Sequence, residues 1–186
     1  RKVNEGYRAY FYDVMDIYKE GLRQEYLLIN GVLSRFTYNN IVSVALQIEE
    51  VEWAKAFLED WTVKLERRFR DRMYHFNSAK IAYASQNYDQ ALGLLQQANY
   101  HDPLLNLGAR TLLLKVYFEQ GEWDALSSHL DAFQSYLRRK SDLGYHRTNY
   151  RNLIRFTKKI LGTNLKNKTK VDQLRSQIEE QKLLTE

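Results

Sequence analysis

Three arginines, Arg147, Arg151 and Arg155, recur at every fourth residue near the C-terminal end of this 186-residue chain. At helical pitch that spacing makes one stripe. Lys158 and Lys159 follow it, and Tyr145, Tyr150 and Phe156 are interleaved. Guanidinium forks beside aromatic rings suit phosphate groups and unstacked bases. The plainest reading is nevertheless a solvated outer face, with lysines favoured near a helix C-terminus. An acidic protein, a nucleic acid or an anionic membrane surface are the binding alternatives.

The other chemistry-bearing residues do not form a constellation. His75, His101, His129 and His146 stand far apart, with no H-E-x-x-H or comparable ligand set. Glu49, Glu50 and Glu52 cluster, but neighbouring carboxylates on a helix point in different directions. Neither a G-x-G-x-x-G nor a Walker-type loop is present to cradle phosphates. The expectation is a non-enzymatic protein without metal or cofactor.

The charge is unevenly placed. The net charge is +5, yet residues 134–170 hold eleven Lys/Arg against one acidic residue, Asp142, while residues 1–133 hold fifteen Lys/Arg against eighteen Asp/Glu. With 44% apolar residues the chain can bury a core. A single proline, Pro103, and eight glycines favour helices over an all-β fold. Cysteine is absent, which rules out disulfides and is compatible with a reducing, cytoplasmic compartment. No run approaches the roughly 18 apolar residues of a membrane span.

Helical periodicity runs through almost the whole sequence. Tyr7, Phe11, Val14 and Tyr18 form a first stripe between Asn4 and about Glu20. The stretch "YLLINGVLSRF" allows two readings. Asn30-Gly31 is a hairpin signal; alternatively Gly31 is a left-handed helix cap and Ser34 caps the next helix. The helical period of every later segment favours the caps. Asp102-Pro103 both breaks one helix and can start another, and Gly121 stops the helix that follows. Tyr150, Leu153, Ile154, Thr157 and Ile160 mark a helix in the basic segment. Val171, Leu174 and Ile178 make a narrow last stripe, too short to insist on a coiled coil.

One short phrase is written three times: "EWAKAF", "NYDQAL" and "EWDALS", thirty-five residues apart. Trp53, Tyr88 and Trp123 align. So do Ala56, Ala91 and Leu126, and further on Val63, Ala98 and Phe133. Several apolar columns at one period argue for a repeated helix–turn–helix unit. In "ASQNYDQALGLLQQANYHDP", Tyr88, Ala91, Ala98, Asp102 and Pro103 fill an aromatic, two small positions and a terminal Asp-Pro. On those residues the chain resembles the tetratricopeptide repeat family over about residues 36–139. It is a divergent likeness: the family usually repeats every 34 residues or so, and His75 and Ala79 stand where it has tryptophan and glycine.

The resemblance implies an all-α, right-handed solenoid. Residues 1–33 would form an N-terminal capping helix and loop, 34–140 three hairpins, 141–162 a basic capping helix, and 163–186 a linker with a short final helix. It also implies a non-catalytic scaffold that holds a peptide or partner helix in a concave groove. Lining positions carry over to Ile41, Ala45 and Ile48, then Phe76, Lys80 and Tyr83, then Thr111, Lys115 and Phe118. Some relatives grip a terminal carboxylate with a Lys/Asn clamp; Asn77, Lys80 and Lys115 supply only part of one, and the full clamp is absent. The alternative function is a basic nucleic-acid or anionic-surface module acting through residues 138–170.

Overall fold

The computed structural model describes residues 9–97, 102–140, 143–144, 146–164 and 166–181. Tyr7, Ala98, His101, Asp142 and Tyr145 therefore lie outside the described residues. The described residues are all-α apart from one short hairpin, and the chain divides into two units, 1–100 and 101–186. The division falls inside the span expected to be a single three-hairpin array. There a new helix is started locally: Asp102 accepts a hydrogen bond from the Leu105 amide at 3.0 Å, and Pro103 occupies the first turn.

The first unit holds α1 (Ala9–Arg23), a hairpin of β1 (Leu28–Ile29) and β2 (Val32–Leu33), α2 (Arg35–Gln47), α3 (Val51–Trp61), α4 (Arg67–Ala84) and α5 (Tyr88–Gln97). A single 3₁₀ turn, Thr62–Lys64, joins α3 to α4. The second unit holds α6 (Pro103–Gln120), α7 (Trp123–Arg139), α8 (His146–Gly162) and α9 (Lys168–Glu179).

Asn30-Gly31 makes a hairpin, which corrects the expectation of a helix cap. Leu28 pairs with Leu33 and Ile29 with Val32, and both turn residues have positive φ, 52° and 75°. A two-residue turn that follows the right-handed twist of its strands needs that conformation twice, and Asn-Gly supplies it at least steric cost. Leu33 anchors the hairpin in the core at 1% exposure, while Ile29 faces outward. Ser34 caps α2 as expected, its hydroxyl accepting from the Phe36 amide.

One turn is built three times. A left-handed residue closes α2, α4 and α6: Glu49 (φ 65°), Gln86 (φ 59°) and Gly121 (φ 71°). The next amide reaches back to the carbonyl five residues earlier, Glu50 to Ala45 at 2.9 Å, Asn87 to Ala82 at 2.8 Å and Glu122 to Tyr117 at 3.0 Å. These are Schellman bonds, which satisfy carbonyls that a helix end leaves without partners. The following helix then opens with the same bond each time, from Ala54, Ala91 and Leu126 to the carbonyls of Glu50, Asn87 and Glu122.

That frame corrects the spacing of the first repeat. Gln86 lies thirty-seven residues after Glu49, and Gly121 thirty-five after Gln86. The counterpart of Ala91 is accordingly Ala54, and both are fully buried. Ala56, the residue that the 35-residue columns select, is exposed, and Val63 is 59% exposed. The second and third hairpins keep the expected register, with Leu126 and Phe133 fully buried.

Each unit has its own apolar interior. Tyr38, Ile41, Phe57, Leu58, Met73 and Phe76 are among the buried side chains of the first. The second is centred on Leu107, Leu126, Leu130, Phe133, Leu137 and Ile154. Each such side chain contributes roughly 1.5–3 kcal/mol of transfer free energy on burial.

Candidate interaction surfaces

The residues expected to line a groove divide into those that can meet a partner and those that cannot. Phe76, Asn77 and Thr111 are buried, at 6%, 0% and 3% exposure, and so cannot present side chains to a ligand. Ile41, Ala45 and Ile48 are likewise core. The polar pair is reconciled with burial through the helix backbone. Asn77 donates to the Met73 carbonyl at 2.9 Å, and the Thr111 hydroxyl to that of Leu107 at 3.0 Å.

Lys80 points across to α2. Its ammonium donates to Ser43 Oγ at 2.5 Å and to Asn39 Oδ1 at 3.3 Å, and lies 5.8 Å from the Phe76 ring centroid. It therefore ties α4 to α2. Tyr83 is half-buried against Tyr88, with ring centroids 5.6 Å apart. In the second unit Lys115 is half-buried. Phe118 is 38% exposed and meets the 53% exposed Trp123 edge to face at 5.7 Å. Lys80 belongs to the first unit and Lys115 to the second.

The arginine stripe is largely occupied within its own unit. Arg147 donates to the Lys140 carbonyl. Arg155 donates to Gln181 at 3.0 Å and stacks over Phe156 at 4.5 Å. Lys158 pairs with Asp131 on α7 at 2.6 Å, and Lys159 donates to Gln177 on α9 at 2.7 Å. Arg151 is exposed. These basic side chains brace α8 against α7, the following backbone and α9.

Among the described residues the histidines do not gather into one cluster. His75 Nδ1 lies 2.8 Å from the Asp71 carbonyl within α4. His129 packs between Tyr117 and Phe133, with Nε2 2.8 Å from the Arg110 carbonyl. Burial holds its pKa below the ordinary histidine value, the bond to that carbonyl opposing and the Arg110 charge adding to the shift. The neutral ring with its proton on Nε2 fits this geometry. Glu50 pairs with Lys19 of α1 at 2.7 Å and Glu52 with Lys55 at 2.7 Å, so these carboxylates serve separate ion pairs. Among the described residues no three acidic or histidine side chains gather as metal ligands would. Nor is any helix among them long and apolar enough to cross a membrane.

Two surfaces escaped the sequence reading. In the first unit, Arg35 of α2 and Arg68 and Arg72 of α4 surround the Phe69 ring, their guanidinium carbons 4.4, 4.7 and 5.8 Å from its centroid. The "RRFRDR" run was the available signal, but the contribution of Arg35 depends on α2 lying beside α4. In the second, α8 and α9 leave an apolar cleft of about 320 Å³, lined by Ile160, Val171, Leu174 and Ile178. No described residue of α9 is fully buried.

Comparison with models of protein families, with curated proteins and with solved structures found no match.

Proposed function

We propose that this chain is a non-catalytic protein-interaction scaffold of tetratricopeptide-like helical hairpins that holds a peptide or a partner helix. The observation that carries this reading is the cleft between α8 and α9. An amphipathic helix with apolar residues at Val171, Leu174 and Ile178 lies along α8 without fully burying any of them. An apolar face left open beside a matching helix suits a third helix or an extended peptide with apolar anchors. The repeated left-handed turns at Glu49, Gln86 and Gly121 support a hairpin-array ancestry.

The recognition positions are then the exposed or half-exposed residues, Tyr83, Lys115 and Phe118 with the α8–α9 cleft, and not the buried Phe76, Asn77 and Thr111. Nucleic-acid binding through residues 138–170 is less well supported, since four of the five basic side chains in the stripe bind within the unit.

The test is affinity capture with the full chain, read by mass spectrometry, against a Leu174→Glu, Ile178→Glu variant with an unchanged circular dichroism spectrum. Partners that are lost with the variant and retained at high salt support the apolar cleft. Recovery of the same partners in the same amounts by both proteins overturns it. Binding that collapses with salt and is replaced by nucleic acid would move the function to the basic helix.

A further inference from the structure

We infer that the cleft between α8 and α9 is filled by α9 of a second copy of this chain, laid antiparallel, so that each copy closes the other's cleft. This inference rests on the scaffold reading only in taking that cleft as a docking surface for a helix, and it names the helix.

The apolar half of the match is on α9 itself. Val171, Leu174 and Ile178 recur at i, i+3 and i+7, the narrow seam of a helix that packs along another helix. Each is only half-buried. Gln177 and Gln181, four apart, make one flank of that seam and are tied to α8, Lys159 donating to Gln177 at 2.7 Å and Arg155 to Gln181 at 3.0 Å. Arg175 and Glu179, also four apart, make the other flank. Both are exposed, and both line the cleft of about 320 Å³ beside Ile160, Val171, Leu174 and Ile178. A helix seated there has to bring its own narrow apolar stripe, and α9 has one.

Charge selects the second copy. Residues 166–175 hold Lys166, Lys168, Lys170 and Arg175 against Asp172, while residues 176–181 hold Glu179 and Glu180 with no Lys/Arg. The neighbouring α8 has no acidic residue and so offers those cations no carboxylate. The order also runs against the macrodipole of α9, which favours acidic residues in the first turn and basic ones in the last; α9 has neither. An antiparallel copy answers both features. It lays its acidic end, which is also the negative end of its dipole, along the lysines. On the flank that lines the cleft, Arg175 of each copy faces Glu179 of the other. A two-fold axis near the middle of α9 makes each such contact twice. A parallel copy would set Arg175 on Arg175 and Glu179 on Glu179. A helix of uniform charge would meet its own sign at one end. Two α8–α9 pairs joined in this way make a four-helix arrangement in which neither seam stays open.

Sedimentation equilibrium with the full chain, from about 1 μM to about 1 mM, tests this. The mass should rise to twice that of the chain. Leu174→Glu with Ile178→Glu should hold the chain at its own mass. Arg175→Glu alone and Glu179→Arg alone should each weaken association about tenfold or more, since each sets like charges together in two places. These two single variants, mixed in equal amounts, should associate as the unmodified chain does, which a change confined to one chain's own helix would not produce. Circular dichroism should show the same helix content throughout. If the apolar double variant loses helix, the charge variants, at exposed positions, carry the test. A chain that keeps its own mass up to the highest concentration overturns the proposal, whether another protein or none fills the cleft. So does association that survives the apolar double variant or either charge reversal, and so does a mixture that associates no better than its components. If the chain stays single while affinity capture still loses partners on Leu174→Glu with Ile178→Glu, only the second copy is refuted and the scaffold reading stands. If the chain pairs as expected and captures no other protein, the inference stands and the scaffold reading falls.

Discussion

Ala54 and Ala56 stand two residues apart on α3, and the turn geometry gives them opposite roles. Ala54 is fully buried and takes the place of Ala91 in the next hairpin, while Ala56 is exposed. Replacing each by leucine adds the same three carbons to one site without room and to one facing solvent. Leucine and alanine differ little in helix propensity, so packing decides the outcome. Overpacking at Ala54 should cost about 1–3 kcal/mol, and Ala56→Leu should stay within about 0.5 kcal/mol. For a domain near 100 residues, each kcal/mol lowers the midpoint by about 4–8 °C. A loss near 2 kcal/mol therefore appears as a drop of roughly 8–16 °C. Differential scanning calorimetry is the suitable assay, because two units can melt in separate transitions. The transition of the first unit should fall for Ala54→Leu and hold for Ala56→Leu. Equal shifts, or a larger shift for Ala56→Leu, would refute the 37-residue register and restore a uniform 35-residue repeat.

Three further outcomes are expected. The Tyr38 hydroxyl, 2.6 Å from Thr62 Oγ1, must donate to it, because the one Thr62 proton goes to the Leu58 carbonyl at 2.5 Å; burial pushes the Tyr38 pKa up to about 12. Thr62→Val leaves a buried donor without a partner and should cost about 1–3 kcal/mol, more than the roughly 1 kcal/mol of Tyr38→Phe, as urea midpoints would show. His129 has a folded pKa below its unfolded one, so its contribution is intact above about pH 6.5 and is lost as pH falls through the folded value. Melts taken at decreasing pH should decline less steeply in His129→Gln. Within the arginine stripe, Arg147→Ala should lower the melting temperature because its guanidinium holds the Lys140 carbonyl, whereas Arg151→Ala should leave it unchanged.

Periodicity made the helices legible, and Asp102-Pro103 and Gly121 marked their caps. The register of the first hairpin was not legible because "EWAKAF" carries two alanines, either of which can fill a small position. The turn that separates them is closed by Glu49, and in the next hairpin by Gln86; neither has a signature for the left-handed conformation, which glycine announces only at Gly121. The β-hairpin was misread because a helical cap and a two-residue turn use the same Asn-Gly. For the site, Asn77 and Thr111 look like surface residues by type, but their hydrogen bonds to carbonyls one turn back let them be buried. The arginine stripe was visible as a pattern, while its partners, Lys140, Asp131, Gln177 and Gln181, come from other segments and could not be read from spacing. The Phe69 cluster was hidden for the same reason, since Arg35 is distant in sequence.

Packing in both units runs mostly between helices adjacent in the chain: α1 on α2, α2 on α3, α3 on α4 and α4 on α5, with α2 also on α4, and then α6 on α7, α7 on α8 and α8 on α9. Few long loops have to close before a contact forms, and chains of this kind fold on the fast side, in about microseconds to milliseconds. Synthesis proceeds at about 5–20 residues per second, far slower than that. The α2–α3 hairpin can therefore bury Ala54 and Phe57 while later helices are still being made, and the first unit can close its core before α6 leaves the ribosome. A chain packed this way would leave its core side chains exposed only briefly during synthesis, while the second unit keeps the apolar α8–α9 cleft open.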